Sequence, residues 1–199
     1  MDAYGPITLR SLLILVTISS AACATRYQAS SGSTRIAPGL EFSIPTGREL
    51  GYSIEATQLI TAHFGDRVQV FQAYVSVSPE KITLIALDPF GNRAMTVIAT
   101  DNGIHTESSP IVPIALHAEN ILADLTIVYW PASAVRHRLE GTSASLSDDP
   151  SERKINLDGR EVVQVTYETP HEHSWARRAR LHNIAFGYEL DLQSTVTGK

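Results

Sequence analysis

The chain has 199 residues, with 21 acidic and 16 basic side chains, a formal net charge of −5 and a single cysteine. A mildly acidic chain lacks the basic patch or stripe that nucleic acid requires. One cysteine excludes an internal disulfide framework and a thiolate metal cluster, so apolar burial in one domain must supply the stability.

The amino terminus carries an apolar run, Ser11 to Ala22, that ends in Ser20-Ala21-Ala22-Cys23. Small residues ahead of a cysteine are what a lipoprotein signal peptidase reads in an extended segment. Residues 1–22 are therefore expected to be a signal peptide, with Cys23 as the lipid-attachment site. Two or three acyl chains there would hold the protein on a membrane, where one chain would not. The competing readings are an ordinary secretory signal and a membrane helix, but the run is shorter than the roughly 20 residues a span needs. Ala24 follows the cysteine where enterobacterial inner-membrane lipoproteins carry Asp. The position thus resembles an outer-membrane address with the domain on the periplasmic face.

Residues 23–48 are small and polar and are expected to form a flexible tether. The domain is expected over 49–196. Period-2 alternation predicts strands over 58–64, 67–78, 81–88, 93–100 and 103–107. Turns at Ser78-Pro-Glu80, Asp88-Pro-Phe-Gly-Asn92 and Asp101-Asn-Gly103 join them as an antiparallel meander. The period then becomes helical: Ile121, Leu122, Leu125 and Val128 share a stripe, with Glu119 and Asp124 on other faces. Pro131 ends this helix, and a second short one spans 132–139, stopped by Gly141. Residues 142–153 read as a polar loop. Strands return over 154–157, 160–167, 179–186 and 188–193. The fold class is α+β, mainly β: one antiparallel sheet with helices on one face.

This order and several motifs resemble a family of uncharacterised proteobacterial lipoproteins, over most of Gly51 to Thr195. The most specific motif is Ile121-Leu-Ala-Asp-Leu-Thr-Ile-Val-Tyr-Trp-Pro131, continuing through Val135-Arg136 to Leu139. Leu87-Asp-Pro-Phe-Gly91 and Gly187-Tyr188 also fit. Members often look like companions of polyketide or aryl-polyene lipid pathways. The family is in turn similar to LolB, the outer-membrane lipoprotein receptor. LolB has an Asn-Pro-Leu-Gly turn where this chain has Asp88-Pro89-Phe90-Gly91. Its Pro-Leu-Asn-Ser-Leu-Arg helix start corresponds to Pro131-Ala-Ser-Ala-Val-Arg136.

The resemblance implies an incomplete antiparallel barrel whose concave face is plugged by the helical insert, with an apolar cavity for acyl chains between them. It makes Phe90 a membrane-insertion tip. It makes Val75, Leu84, Leu125, Val128, Trp130, Val165 and Leu190 candidate cavity and cargo-binding residues. Each has a plainer alternative: Phe90 folding back over the sheet edge, the stripe serving only as core, and Tyr129-Trp130 simply packing.

Catalytic and metal signals are weak. His171-Glu-His173 has no third ligand nearby and lacks the His-Glu-x-x-His spacing of zinc peptidases. There is no Gly-x-Ser-x-Gly elbow and no phosphate-binding glycine loop. Arg177, Arg178 and Arg180 form a basic cluster that reads as a solvated strand end rather than a head-group site. No catalytic residue, metal or cofactor is assigned. The expected function is to accept a lipidic or acylated cargo, by way of a LolA-like periplasmic carrier, and help deliver it to the outer membrane. The alternatives are an envelope assembly partner without cargo and an enzyme acting on acylated substrates.

Overall fold

The computed structural model describes residues 26–30, 32–110, 112, 117–168, 175 and 178–198. The signal peptide, Cys23, the His171-Glu-His173 loop and Arg177 lie outside them. The strands are β1 (Arg26–Ser30), β2 (Ser33–Ala37), β3 (Leu40–Ser43), β4 (Ile54–Phe64), β5 (Arg67–Ser78), β6 (Lys81–Leu87), β7 (Arg93–Thr100) and β8 (Gly103–Ser108). Two helices follow, α1 (Ala118–Tyr129) and α2 (Ala132–His137). The chain then returns to strands β9 (Ala144–Asp148), β10 (Glu152–Leu157), β11 (Arg160–Tyr167), β12 (Arg178–Asn183) and β13 (Tyr188–Gly198).

Eleven strands form one antiparallel sheet in the order β1-β8-β7-β6-β5-β4-β13-β12-β11-β10-β9. Two meanders, β4–β8 and β9–β13, meet where β13 pairs with β4. The sheet is open: β1 and β9 are its edges, and they do not pair. The expectation of a mainly β chain with a helical insert therefore holds, as an open antiparallel sheet not closed into a barrel.

Alternation sets the faces. On β4, Ile54, Ala56, Gln58, Ile60 and Ala62 point inward and are buried, as are Ala73, Val75 and Val77 on β5. The β10–β11 hairpin turns at Asp158 and Gly159, with φ of 50° and 76°. Two consecutive positive φ values are what a two-residue turn needs to match strand twist, and Asp-Gly supplies them.

Helix α1 lies on the inward face and touches β2, β8 and β12. Ten of its twelve residues are buried, including Glu119 and Asp124. Those two, expected on faces other than the apolar stripe, are buried as well, because the β2–β3 hairpin adds a second wall against the helix. A helix covered on most sides is no longer an amphipathic surface helix. Trp130 precedes Pro131 and is extended, which ends α1 there as expected.

The carbonyls at the end of α1 are satisfied by side chains. Arg153 Nη1 donates to Ile127 O at 2.6 Å and Trp130 O at 2.9 Å, and Tyr167 Oη donates to Val128 O at 2.8 Å. A cation at a helix carboxyl terminus also opposes the local partial negative charge. Arg153 Nε in turn pairs with Asp148 at 2.7 Å.

Two expectations need correction. The flexible tether over 23–48 is, from Arg26 on, three strands and a 3-10 turn at Gly47–Leu50. Ile36, Ala37, Leu40, Phe42 and Leu50 are all buried in the core. The polar composition around them hid four apolar side chains on one short hairpin. The polar loop over 142–153 contains β9 and the start of β10. As an edge strand with one exposed face, β9 needs few apolar residues. At the other end, β12 stops at Asn183 and Ile184–Gly187 form a turn, whereas β13 runs on to Gly198.

Candidate functional site

The candidate site is an apolar groove where β5 overhangs β6. The last β5–β6 pair is Gln72↔Leu87, so β5 from Arg67 to Phe71 has no partner on that side. Val68, Val70 and Phe71 line the groove from this overhang. Leu84, Ala86 and Leu87 supply the β6 wall, and Met95 the β7 wall. Val112 and Ile121, the latter near the start of α1, complete it. Its volume is about 340 Å³. Val68 and Val70 are 57 % and 43 % exposed, so the groove opens to solvent along its rim.

Asp88 and Pro89 form another part of that rim and lead into the turn that carries Phe90. Asp88 Oδ1 accepts the backbone N–H of Phe90 at 2.9 Å and of Asn92 at 2.8 Å, and Oδ2 accepts Asn92 Nδ2 at 3.0 Å. The Asn92 amide, with the N–H groups of Asn92, Phe90 and Gly91, holds the Asp88 carboxyl below the usual carboxylate range. Gly91 takes φ 82°, which lets the turn close, and Phe90 stands 89 % exposed. An internally hydrogen-bonded turn thus presents an aromatic ring to solvent.

The predicted cavity residues divide. Leu84 lines the groove. Val75, Leu125, Val128 and Val165 are buried in the core between α1 and the sheet, and Leu190 is half-buried against it. Trp130 is fully buried too: its indole N–H donates to Thr46 O at 2.9 Å, and its ring meets Trp175 at 6.1 Å. It packs rather than lining a mouth. Of the helical stripe, Ile121 alone reaches the groove. Apart from Leu84 and Ile121, the apolar groove residues were missed from sequence, among them Val68, Val70, Phe71 and Met95, which are ordinary strand residues; the signal was the unequal length of β5 and β6.

Residues 55–196 match a family model described as "Protein of unknown function (DUF3261)". The chain belongs to this family. No match was found among curated proteins. The DUF3261 match runs from β4 into β13, so it contains the groove and the Phe90 turn, while β1–β3 precede it.

Beneath α1 lies a buried polar layer. Tyr188 Oη donates to Asp124 at 2.9 Å, and Asn183 Nδ2 donates to Ile36 O at 3.0 Å and to Tyr188 Oη at 3.4 Å. Burial pushes the Asp124 carboxyl up to about 7, against the opposing hydrogen bond from Tyr188. Burial, and then the Asp124 charge, push the Tyr188 phenol up. Nearby, Gln58 Nε2 donates to Ser194 Oγ at 2.9 Å, and Tyr129 Oη lies 2.6 Å from Ser194 Oγ. These groups tie helix to sheet and do not face the groove.

Among the described residues, no three His, Cys, Asp or Glu side chains come together to hold a metal. The described part of the basic cluster has acidic partners: Arg180 pairs with Asp191 at 2.7 Å and Arg178 with Glu168 at 3.8 Å. Among the same residues, no helix is long and apolar enough to cross a membrane.

Proposed function

We propose that this DUF3261 domain is a lipid-anchored outer-membrane protein that binds the acyl chain of a lipidic or acylated cargo and helps deliver it to the membrane. The observation that carries this reading is the apolar groove rimmed by the Phe90 turn. Its volume of about 340 Å³ is at the small end of ligand cavities, roughly 300–1,000 Å³. One hydrocarbon chain suits it better than a whole multi-chain lipid. The resemblance to LolB read from the sequence, in the Asp88-Pro-Phe-Gly91 turn and the Pro131–Arg136 helix start, points the same way. Transfer needs no bond to be made or broken: the chain moves from a LolA-like carrier to whichever pocket excludes water better.

A second reading, an assembly partner without cargo, draws on the filled interior around Leu125, Val128 and Val165. Titrating a fluorescent fatty acid into the chain from residue 24 onward separates the two. The cargo reading predicts saturable binding that Ile121→Trp weakens while the far-UV circular dichroism is kept. Wild-type protein that binds no probe would leave the assembly reading.

A further inference from the structure

We propose that one whole end of the sheet, not Phe90 alone, docks on the bilayer that holds the acyl chains of Cys23. This rests on the lipid anchor at Cys23 proposed above, not on cargo binding, and adds the orientation of the domain.

The strand register defines the end. Leu87 pairs with Arg93, so the Phe90 turn caps β6 and β7 there. Phe64 pairs with both Arg67 and Tyr188, which places the β4–β5 and β12–β13 turns at the same end. Ser108 pairs with Met95 on β7 and with Arg26 on β1, so β1 begins at this end as well. Cys23 precedes Arg26 by three residues, a span of at most about 11 Å. A lipid on Cys23 therefore brings this end, and no other, close to the membrane.

The side chains agree. Tyr27, Phe64, Val68, Phe90, Ile184 and Phe186 all lie at this end, 40 % to 89 % exposed. Exposed large apolar residues gathered in one place mark an interaction surface. The turns of the opposite end are polar, with Pro79-Glu80, Asp101-Asn102 and Asp149-Pro-Ser151, and among the described large apolar residues only Tyr52, just ahead of β4, stands exposed there. The overhang of β5 belongs to the apolar end, so the groove opens toward the membrane and a chain can pass without crossing water.

Charge is not the driving force. Arg26, Arg67, Arg93 and Arg160 stand at this end with Asp66, Asp88, Asp158 and Glu107, the last of which pairs with Arg93 at 3.7 Å. Docking should therefore resist salt, which screens exposed charges.

The full lipidated chain in phosphatidylcholine vesicles tests this. Acylation consumes the Cys23 sulfur, so one introduced cysteine is the only free thiol. An environment-sensitive fluorophore is placed at Asp66→Cys or Pro89→Cys, and for comparison at Asp101→Cys or Pro150→Cys. Bromine-labelled lipid should quench the first pair and leave the second pair bright, equally at low and high salt. Equal quenching at both ends, or quenching at Asp101→Cys and Pro150→Cys alone, overturns the proposal. So does a Cys23 without an acyl group, or a rim shielded by a second copy in a concentration-dependent dimer. Fatty-acid binding is read separately on the unlabelled wild-type chain, since Pro89 belongs to the groove rim. Rim quenching without probe binding removes the cargo reading and leaves the orientation; the reverse removes the orientation and leaves the cargo.

Discussion

At the scale of single residues, Phe90 and Asp124 make opposite demands. Phe90 is 89 % exposed on a turn whose hydrogen bonds come from Asp88 and the backbone, not from its own ring. Phe90→Ala should therefore melt near wild type and transfer a fluorescent fatty acid to liposomes more slowly. A buried Phe would instead lose roughly 3–5 kcal/mol on the same truncation. Asp124 is buried, and its carboxyl is raised from an ordinary value of 3.8 to about 7. The folded state then holds a proton that the unfolded chain releases. The contribution is fully present below pH 3.8 and is lost as pH rises through about 7. Asp124→Asn keeps a carbonyl to accept the Tyr188 hydroxyl and removes the titration. Its stability relative to wild type, read from chemical denaturation at several pH values, should rise between pH 4 and 8. A constant difference would mean that Asp124 titrates as an ordinary carboxyl.

At the scale of elements, the β2–β3 hairpin is part of the core. Phe42 is fully buried, and Phe42→Ala should cost roughly 3–5 kcal/mol in urea denaturation. A tether residue would cost nothing. Arg153→Ala removes the Arg153 donor from the Ile127 and Trp130 carbonyls and breaks its pair with Asp148, a loss of roughly 3–5 kcal/mol for a broken buried pair. The long strands were legible in sequence because each has one buried and one exposed face: Arg67–Ser78, Arg93–Thr100 and Arg160–Tyr167 match expectation to the residue. The hairpin was not, since four apolar side chains among polar neighbours give no sustained period. Neither was edge strand β9, nor the burial of Glu119 and Asp124, because a helix between two walls loses the polar face that periodicity looks for. Phe90 was legible as a turn residue. The groove was not, because it arises from the overhang of β5 past β6, which depends on pairing register and not on any local motif.

At the scale of the whole molecule, an open antiparallel sheet carries a filled core on its inward face and an unfilled apolar groove near its aromatic end. The two have separate roles: the core gives stability, and the groove gives capacity for a chain. Substitutions should divide accordingly. Leu125→Trp, at a packed position 4 % exposed, should destabilise the fold by overpacking. Ile121→Trp, at the groove, should spare the fold and occupy the space. The most direct test is mass spectrometry of lipids that co-purify with the chain from cell envelopes, comparing wild type with Ile121→Trp. The account predicts an acylated molecule carried by wild type and depleted from the variant. A wild-type protein that carries no acylated molecule beyond its own anchor, or a variant that carries as much as wild type, would contradict it.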